Sequence, residues 1–218
     1  MSASDPAWPL VQDWLAAATN AVSVIETTEE RGRATLDALD GVTEQQTLGA
    51  LALHSGGVLV DGWLLVLGAG AADVPGLREL NGRVGGAHAG LPGALVVAVD
   101  RLGGAFAIQG GGLPAGEVGE LCFLAPDDLG WMPTELGHSA FVRWSVGGDV
   151  HGFYEDLRWP GWNEDVRALG PGQGFGAYPP PWTVEGRRGQ SVSRRPVPLL
   201  EAYGVLLQAS LRLRRPAQ

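Results

Sequence analysis

The chain has no lysine and a single cysteine, Cys122, among its 218 residues. One cysteine excludes a disulfide framework and leaves no set of thiolates for a structural zinc site. The sequence also has no apolar run of the ~18 residues that a membrane-spanning helix requires. Its first residues, MSASDPAWPL, lack a basic segment followed by an apolar one, so we expect no secretory signal peptide. Together these absences favour a cytoplasmic protein.

Positive charge is scarce too, because 15 arginines stand against 24 acidic residues and give a net charge of −9 at pH 7. This balance argues against a nucleic-acid-binding surface over the whole molecule. The charge is also uneven, since residues 187–218 hold seven arginines and one acid, Glu201. We expect this basic segment to pack against the acidic remainder of the chain. Binding of phosphates or of an anionic lipid surface is the alternative.

What the sequence does contain is a change of pattern along the chain. Trp8, Val11 and Trp14 recur at helical spacing, and VSVIE (22–26) can form an edge strand. From about residue 48, short apolar runs alternate with glycines, and Asp61-Gly62 is a strong two-residue hairpin signal. The predicted order is helices over residues 6–40, a sheet of hairpins over 48–135, helices over 137–169, a Pro- and Gly-rich loop over 170–198 and a C-terminal helix over 199–215. The sequence therefore predicts one α+β domain over residues 1–218, with helices packed on a central antiparallel sheet.

The stretch GWLLVLGAGAADVPG (62–76) invites comparison with a dinucleotide-binding loop. Such a loop needs a buried strand, Gly-x-Gly-x-x-Gly and a helix whose N-terminus receives the pyrophosphate. Asp73 stands where the third glycine belongs, no apolar helical stripe follows, and the acid expected ~20 residues later is absent. Gly110-Gly111-Gly112 cannot be a phosphate loop, because that loop requires a lysine. We interpret both sets of glycines as sharp turns and predict no cofactor.

Catalytic motifs are also missing. The four histidines occur in no HxH or HExxH pattern, so the sequence predicts no metal site. Cys122 lies in an apolar strand, where cysteine usually behaves as a small buried hydrophobe. A nucleophile pair of Cys122 with His138 has no local support, and no Gly-x-Ser-x-Gly motif is present. An enzyme remains the alternative, with His138, Cys122 or Asp127 brought together in one pocket.

Tryptophan is unusually abundant, with eight residues, and several lie close together near prolines and arginines. Most of them should lock a core, whereas a minority can serve as anchors in a binding groove. The predicted binding residues are Trp159, Trp162, Arg158, Tyr154, Trp182, Asp127 and Asp128. The two aspartates follow Pro126 at a strand end, where adjacent acids normally cap a turn.

Several segments resemble a bacterial family. They are DPAWPLVQDW, GGVLVDGWLLVLGAG, FAIQGGGL with GELCFLAPDDLGW, and FVRWSVGGDVHGFYEDLRWPGW. Over about residues 5–200 they are similar to DUF2625, a domain of unknown function, and the RWPGW block is fairly specific to it. The resemblance implies no activity, and it supplies no catalytic residue.

A more distant similarity is to the SUKH superfamily of Syd-like and toxin-immunity proteins. It involves an apolar strand ending in Asp-x-x-Gly, hairpin strands and a helix with a central phenylalanine. The matching positions are Asp100, Gly103, Gly104, Phe106, Trp131, Phe141 and Trp144. This similarity implies a non-enzymatic, protein-binding α+β domain.

The leading hypothesis from the sequence is therefore a cytoplasmic, non-catalytic protein-binding module, of the immunity-protein type. An acidic body suits a basic partner such as a nuclease toxin, because complementary fields speed encounter. The rival hypothesis is a hydrolase-like enzyme that acts on a small molecule. A pocket holding two of its polar candidates within hydrogen-bond reach would favour the enzyme, and an exposed aromatic or acidic face would favour the binder. The sequence does not determine the oligomeric state.

Overall fold

The computed structural model describes residues 6–84, 87–88, 91–187 and 192–213, and it is built on an antiparallel sheet of seven strands. These are β1 (Val22–Ile25), β2 (Gly57–Val60), β3 (Leu64–Leu67), β6 (Ala94–Asp100), β7 (Ala105–Gln109), β8 (Leu121–Leu124) and β9 (Trp131–Pro133). A small pair, β4 (Arg83–Val84) with β5 (Ala87–His88), lies between β3 and β6 in the chain. Each strand of the large sheet pairs with the next, which makes the sheet a meander. The predicted α+β fold class is confirmed.

The β2–β3 hairpin shows how local sequence fixes part of this sheet. Asp61 and Gly62 have φ angles of 51° and 64°, as the two central residues of a type I′ turn require. The Trp63 N–H closes the turn by donating to the Val60 carbonyl at 2.9 Å, and the strand register pairs Val60 with Leu64. The connection is therefore three residues long, one more than in the two-residue hairpin that the sequence predicts. The backbone N–H of Ala21, just before β1, donates to Asp61 Oδ1 at 3.0 Å. The hairpin and the edge position of VSVIE are confirmed.

Helices precede and follow the sheet, as predicted. They are α1 (Trp8–Ala16), α2 (Glu29–Asp37), α3 (Thr47–His54), α4 (Leu77–Asn81), α5 (His138–Gly147), α6 (Val150–Phe153), α7 (Trp162–Arg167), α8 (Val184–Arg187) and α9 (Leu199–Leu213). Thr28 caps α2, because its hydroxyl oxygen accepts the backbone N–H of Arg31 at 3.2 Å. The four residues of β3, LLVL, are all buried, so the sheet is covered on both faces at this strand.

The structure differs from the sequence prediction in two ranges, and the predicted sheet over 48–135 is the first. Residues 77–81 form the short helix α4, in which Leu77 and Leu80 are buried, because five residues are too few to show an apolar stripe. Residues 48–54 belong to α3, in which every residue except His54 is buried. A helix enclosed on all sides has no polar stripe, so hydrophobic periodicity cannot distinguish it from a buried strand.

The second range is the segment predicted as loop, 170–198, which contains the short helix α8 and a two-stranded ribbon. β10 (Gln173–Tyr178) pairs antiparallel with β11 (Ser193–Pro198), and Phe175 and Val197 are buried. Glycine and proline are typical of turns, and proline is tolerated in a strand at a sheet edge. Arg194 on β11 lies 3.9 Å from the ring centroid of Trp159, so part of the basic segment packs against the preceding chain.

The glycines of residues 62–76 serve close backbone packing. A β-carbon on Gly68 would collide with the backbone of Ser55, and one on Gly76 would collide with the backbone of Ala69. Arg31 reaches this turn from α2, where its Nε–H donates to the Ala69 carbonyl at 2.7 Å. The following helix, α4, has five residues. The turn is therefore held by the protein's own backbone and by Arg31.

Candidate functional site

Four of the predicted binding residues pack around one buried tryptophan, Trp63, in the turn immediately before β3. The ring centroids of Tyr154, Trp159 and Trp162 lie 5.8, 5.8 and 5.5 Å from that of Trp63. The guanidinium carbon of Arg158 lies 4.0 Å from the Trp162 centroid and 5.2 Å from that of Trp63. The RWPGW block therefore anchors the chain after α6 to the β2–β3 hairpin.

Accessibility differs among these residues. Tyr154 is fully buried, whereas Arg158, Trp159 and Trp162 are half-buried and keep one side towards solvent. Arg158 Nη1 lies 2.9 Å from Nδ1 of the exposed His151. The half-buried rings of Trp159 and Trp162 keep part of this cluster at the surface, whereas Nε and Nη2 of Arg158 are enclosed.

A buried carboxylate lies beneath this cluster. Asp100 ends β6 and is fully buried, and its Oδ1 accepts the backbone N–H groups of Leu102 at 2.8 Å and Gly104 at 2.9 Å. Burial raises the pKa of Asp100 to about 7, although these two N–H groups, the Tyr154 hydroxyl and the Arg158 charge all act to lower it. Burial, and then the Asp100 charge, raise the pKa of Tyr154 well above its ordinary value. Because both side chains are enclosed, the pair has a structural role and offers no surface to a ligand.

The neighbouring Arg101 is also buried and holds three segments together. Its Nε–H donates to the Gly62 carbonyl at 2.6 Å, and Nη1 donates to the carbonyls of Gly170, Pro171 and Gln173. Burial lowers the pKa of Arg101 to about 10, so the side chain stays charged at neutral pH. Its charge is satisfied by backbone carbonyls, which makes it a structural clamp.

The other predicted binding residues lie elsewhere in the fold. Trp182 borders a cavity of about 360 Å³ beside Tyr178, between the β10–β11 ribbon and α9. Asp127 and Asp128 lie in the connection between β8 and β9, where Asp127 is half-buried and Asp128 exposed. The structure therefore places the seven predicted residues in three regions and leaves their binding role as a prediction.

The candidates for the enzyme alternative are not brought together. The Cys122 thiol is buried and donates to the Ala115 carbonyl at 3.2 Å, and burial raises its pKa. His138 Nδ1 lies 3.0 Å from the Thr47 hydroxyl, and burial lowers the pKa of His138 to about 4. Within the ranges that the structure describes, no hydrogen bond links any two of Cys122, His138 and Asp127. The same ranges contain no group of three or more His, Cys, Asp or Glu side chains that could hold a metal ion.

An exposed apolar groove of about 290 Å³ lies between β9 and the helices α5 and α6. We call it the apolar groove. Its floor is formed by the buried Phe106, Phe123 and Phe141, and its walls by Met132, Trp144 and Phe153. The Phe106 centroid lies 4.6 Å from the centroids of both other floor residues, and Trp144 and Phe153 meet at 5.2 Å. Met132 and Phe153 are 45% and 41% exposed, so the walls are open to a partner.

The chain around the apolar groove is strongly acidic. Residues 117–156, the acidic segment, contain eight carboxylates and one basic residue, Arg143. Glu135 lies between Thr134 and Leu136, which both line the groove, and Asp149 caps α6, the helix that carries Phe153. The ion pairs of the described residues are Arg31–Glu79 and Arg195–Glu201, so none of these eight carboxylates is paired there.

Sequence reasoning did not find the apolar groove. Met132 and Phe153 gave no signal, because neither belongs to a motif and they lie 21 residues apart in the chain. Phe106, Phe141 and Trp144 were noted for the similarity to the SUKH superfamily, and all three line the groove. Across the described residues, no helix is long and apolar enough to cross a bilayer.

Comparison with known proteins gives relatives of unknown function. A family model described as "Protein of unknown function DUF2625" matches residues 1–202. A putative uncharacterized protein, YbfG, of Escherichia coli K12 is 36% identical over 183 residues, which cover 84% of this chain and 83% of that protein. An uncharacterized protein of Haemophilus influenzae is 33% identical over 172 residues, or 78% of this chain and 75% of that protein. No solved structure matches the chain.

Proposed function

The chain belongs to the DUF2625 family, and we propose that it is a non-catalytic, protein-binding module that holds its partner in the apolar groove. The observation that carries this proposal is an aromatic floor between walls that expose Met132 and Phe153. Aromatic residues and methionine are enriched in protein interfaces, and exposed apolar patches with a polar rim mark interaction sites. Burying one large apolar side chain of a partner there would contribute about 1.5–3 kcal/mol.

The charge of the acidic segment defines the chemistry of the partner. Eight carboxylates against one arginine favour a basic protein, because complementary fields accelerate encounter and restrict the choice of partner. A basic nuclease toxin fits this description, with this chain as its immunity protein in the cytoplasm, acting as a single domain over residues 1–218. The groove positions Phe106, Phe141 and Trp144 support this proposal, since they also match the SUKH superfamily.

The shape of the sheet edge favours insertion of side chains over addition of a strand. β9 is the edge strand beside the groove and has only three residues, of which the last is Pro133. Proline has no N–H to donate to an added strand, and a short edge offers few hydrogen bonds. We therefore expect the partner to place one or two large apolar side chains in the groove, with arginine or lysine beside them.

The proposal can be tested by NMR with a short synthetic peptide in which leucines alternate with arginines. The eight tryptophan indole N–H signals of the ¹⁵N-labelled protein report on different surfaces. Binding in the groove should shift the Trp144 indole signal. Shifts confined to Trp159, Trp162 and Trp182 would instead favour the surfaces predicted from the sequence, and absence of any shift at high peptide concentration would count against the proposal.

Matched variants make the test specific. Met132→Lys adds a like charge at an exposed groove wall, so we expect peptide affinity to fall at least about tenfold. Val184→Lys adds the same charge at an exposed position of α8 outside the groove and should leave affinity nearly unchanged. Two control peptides, with serine for leucine or glutamate for arginine, separate the apolar from the electrostatic contribution. Raised ionic strength should weaken binding of the leucine–arginine peptide.

A further inference from the structure

The described end of α9 carries the chemistry that the apolar groove would accept. Leu211 and Leu213 are 47% and 70% exposed, and Arg212 lies between them. We call residues 211–213 the C-terminal arm. In the sequence, Arg214 and Arg215 follow directly. Leu213 with Arg212 beside it offers one apolar and one basic group, because residues two apart on a helix, such as Leu211 and Leu213, do not share a face.

The arm begins close to the groove. The Ser210 hydroxyl, one residue before the arm, donates to the Leu129 carbonyl at 2.7 Å and is buried. Leu129 precedes the groove residue Met132 by three residues, so their Cα atoms are no more than about 11 Å apart. The hydrogen bond at the root of the arm therefore joins α9 to the connection that leads into β9, the strand that carries Met132.

The arm does not fill the groove of its own chain. Leu213 is more exposed than any other aliphatic residue of α9, and Met132 and Phe153 keep the groove walls open. α9 is helical as far as Leu213, so the arm continues the direction of the helix away from its anchor at Ser210. The arm and the groove are therefore both uncovered in one chain.

We propose that the C-terminal arm of a second copy occupies the apolar groove, and that the two copies exchange arms reciprocally. The inference rests on the proposed function, because the arm would compete with the partner protein for the same groove. Exchange of arms would therefore regulate binding of that partner. The acidic segment of each copy faces the basic arm of the other, which gives the pairing its charge complementarity. Because the exchange is reciprocal, the two identical contacts are related by one two-fold axis, and the assembly closes as a dimer.

Sedimentation of the full-length chain over a range of concentrations and ionic strengths tests the proposal. We expect a monomer–dimer equilibrium whose dissociation constant rises with salt. Leu213→Asp should raise that constant at least tenfold, because it places an acid in an acidic groove. Val205→Asp introduces the same charge at a 54% exposed position of the same helix and should change it little. A chain that is monomeric at every concentration, or a dimer that tolerates Leu213→Asp, would overturn the proposal.

A mixing experiment tests the pairing itself. Met132→Lys disables the groove and leaves the arm intact, whereas Leu213→Asp does the reverse. Each variant alone should be largely monomeric, and an equimolar mixture should form a heterodimer through one intact arm and one intact groove. If the mixture stays as monomeric as its components, the arm and the groove are not the two halves of the contact. Circular dichroism of each variant checks that the fold is retained.

The same variants separate this inference from the proposed function. The leucine–arginine peptide is added to the Leu213→Asp variant, whose groove is intact. Peptide binding without self-association of the natural chain refutes only the exchange of arms. If the chain self-associates through Met132 and Leu213 but does not bind the peptide, the exchange of arms is retained and binding of a separate protein in the groove is refuted. If the chain neither self-associates nor binds the peptide, both proposals are refuted.

Discussion

The buried carboxylate of Asp100 should make the protein less stable as the pH rises. The pKa of Asp100 is about 7 in the fold and 3.8 in its ordinary state, so between these values the folded state holds a proton that the unfolded state has lost. The free energy of unfolding then falls as pH increases, by about 1.4 kcal/mol per pH unit well inside this interval. Between about pH 5.5 and about pH 8 the contribution of Asp100 is a loss of about 2 kcal/mol.

His138 acts in the opposite sense and must be separated from Asp100. Its pKa falls from 6.5 to about 4 in the fold, so between these values the unfolded state binds more protons and stability rises with pH. Over the same interval, from about pH 5.5 to about pH 8, this contribution is a gain of about 1.4 kcal/mol. The two contributions oppose each other in the natural chain and leave a net loss of about 0.6 kcal/mol, so a variant is needed to isolate either one.

Asp100→Asn is the variant that isolates the carboxylate. An asparagine keeps the oxygen that accepts from Leu102 and Gly104 but carries no charge at any pH. Urea unfolding should show the variant gaining about 2 kcal/mol relative to the natural chain between about pH 5.5 and about pH 8. Asp37→Asn, at an exposed position of α2, is the control and should show no such change. Parallel pH profiles for Asp100→Asn and the natural chain would refute the reasoning.

Three further predictions follow from buried contacts and are checked by denaturation or thiol chemistry. Gly104→Ala places a β-carbon 2.9 Å from the Asp100 Cγ and should lower the free energy of unfolding by about 1–3 kcal/mol. The control, Gly147→Ala, has open space at the end of α5 and should be neutral or stabilising. Equal effects of the two variants on stability would contradict the contact. Arg101→Lys should lower the free energy of unfolding by at least about 2 kcal/mol, since an ammonium group cannot reproduce hydrogen bonds to four carbonyls. Unchanged stability of this variant would show that the fold does not depend on the clamp. Cys122 should resist a thiol reagent in the folded protein and react fully in urea, and rapid reaction of the folded protein would revive the nucleophile hypothesis.

Much of the fold could be predicted because its signals are local. Asp61-Gly62 sits between two apolar runs and can hardly adopt any other structure than a tight hairpin. The start of α2 is also set locally, since the Thr28 hydroxyl oxygen accepts the backbone N–H of Arg31, three residues along the chain. The fully buried helix α3 could not be predicted, because it lacks the polar face that reveals helical periodicity.

The candidate site shows the same division more sharply. Tryptophans near prolines and arginines drew attention to Trp159 and Trp162, and the structure packs both against Trp63. A count of aromatic residues cannot tell which of them the fold encloses, since that depends on partners distant in sequence.

By itself, the sequence determined the strands and turns of the meander, most of the helices and the acidic character of residues 117–156, since each depends on neighbouring residues or on composition. Only the tertiary structure decided that Phe106 of β7, Met132 of β9 and Phe153 of α6 meet in one groove. The physical reason is that pairing of β7, β8 and β9, with α5 and α6 packed beside them, creates a surface that no contiguous segment contains.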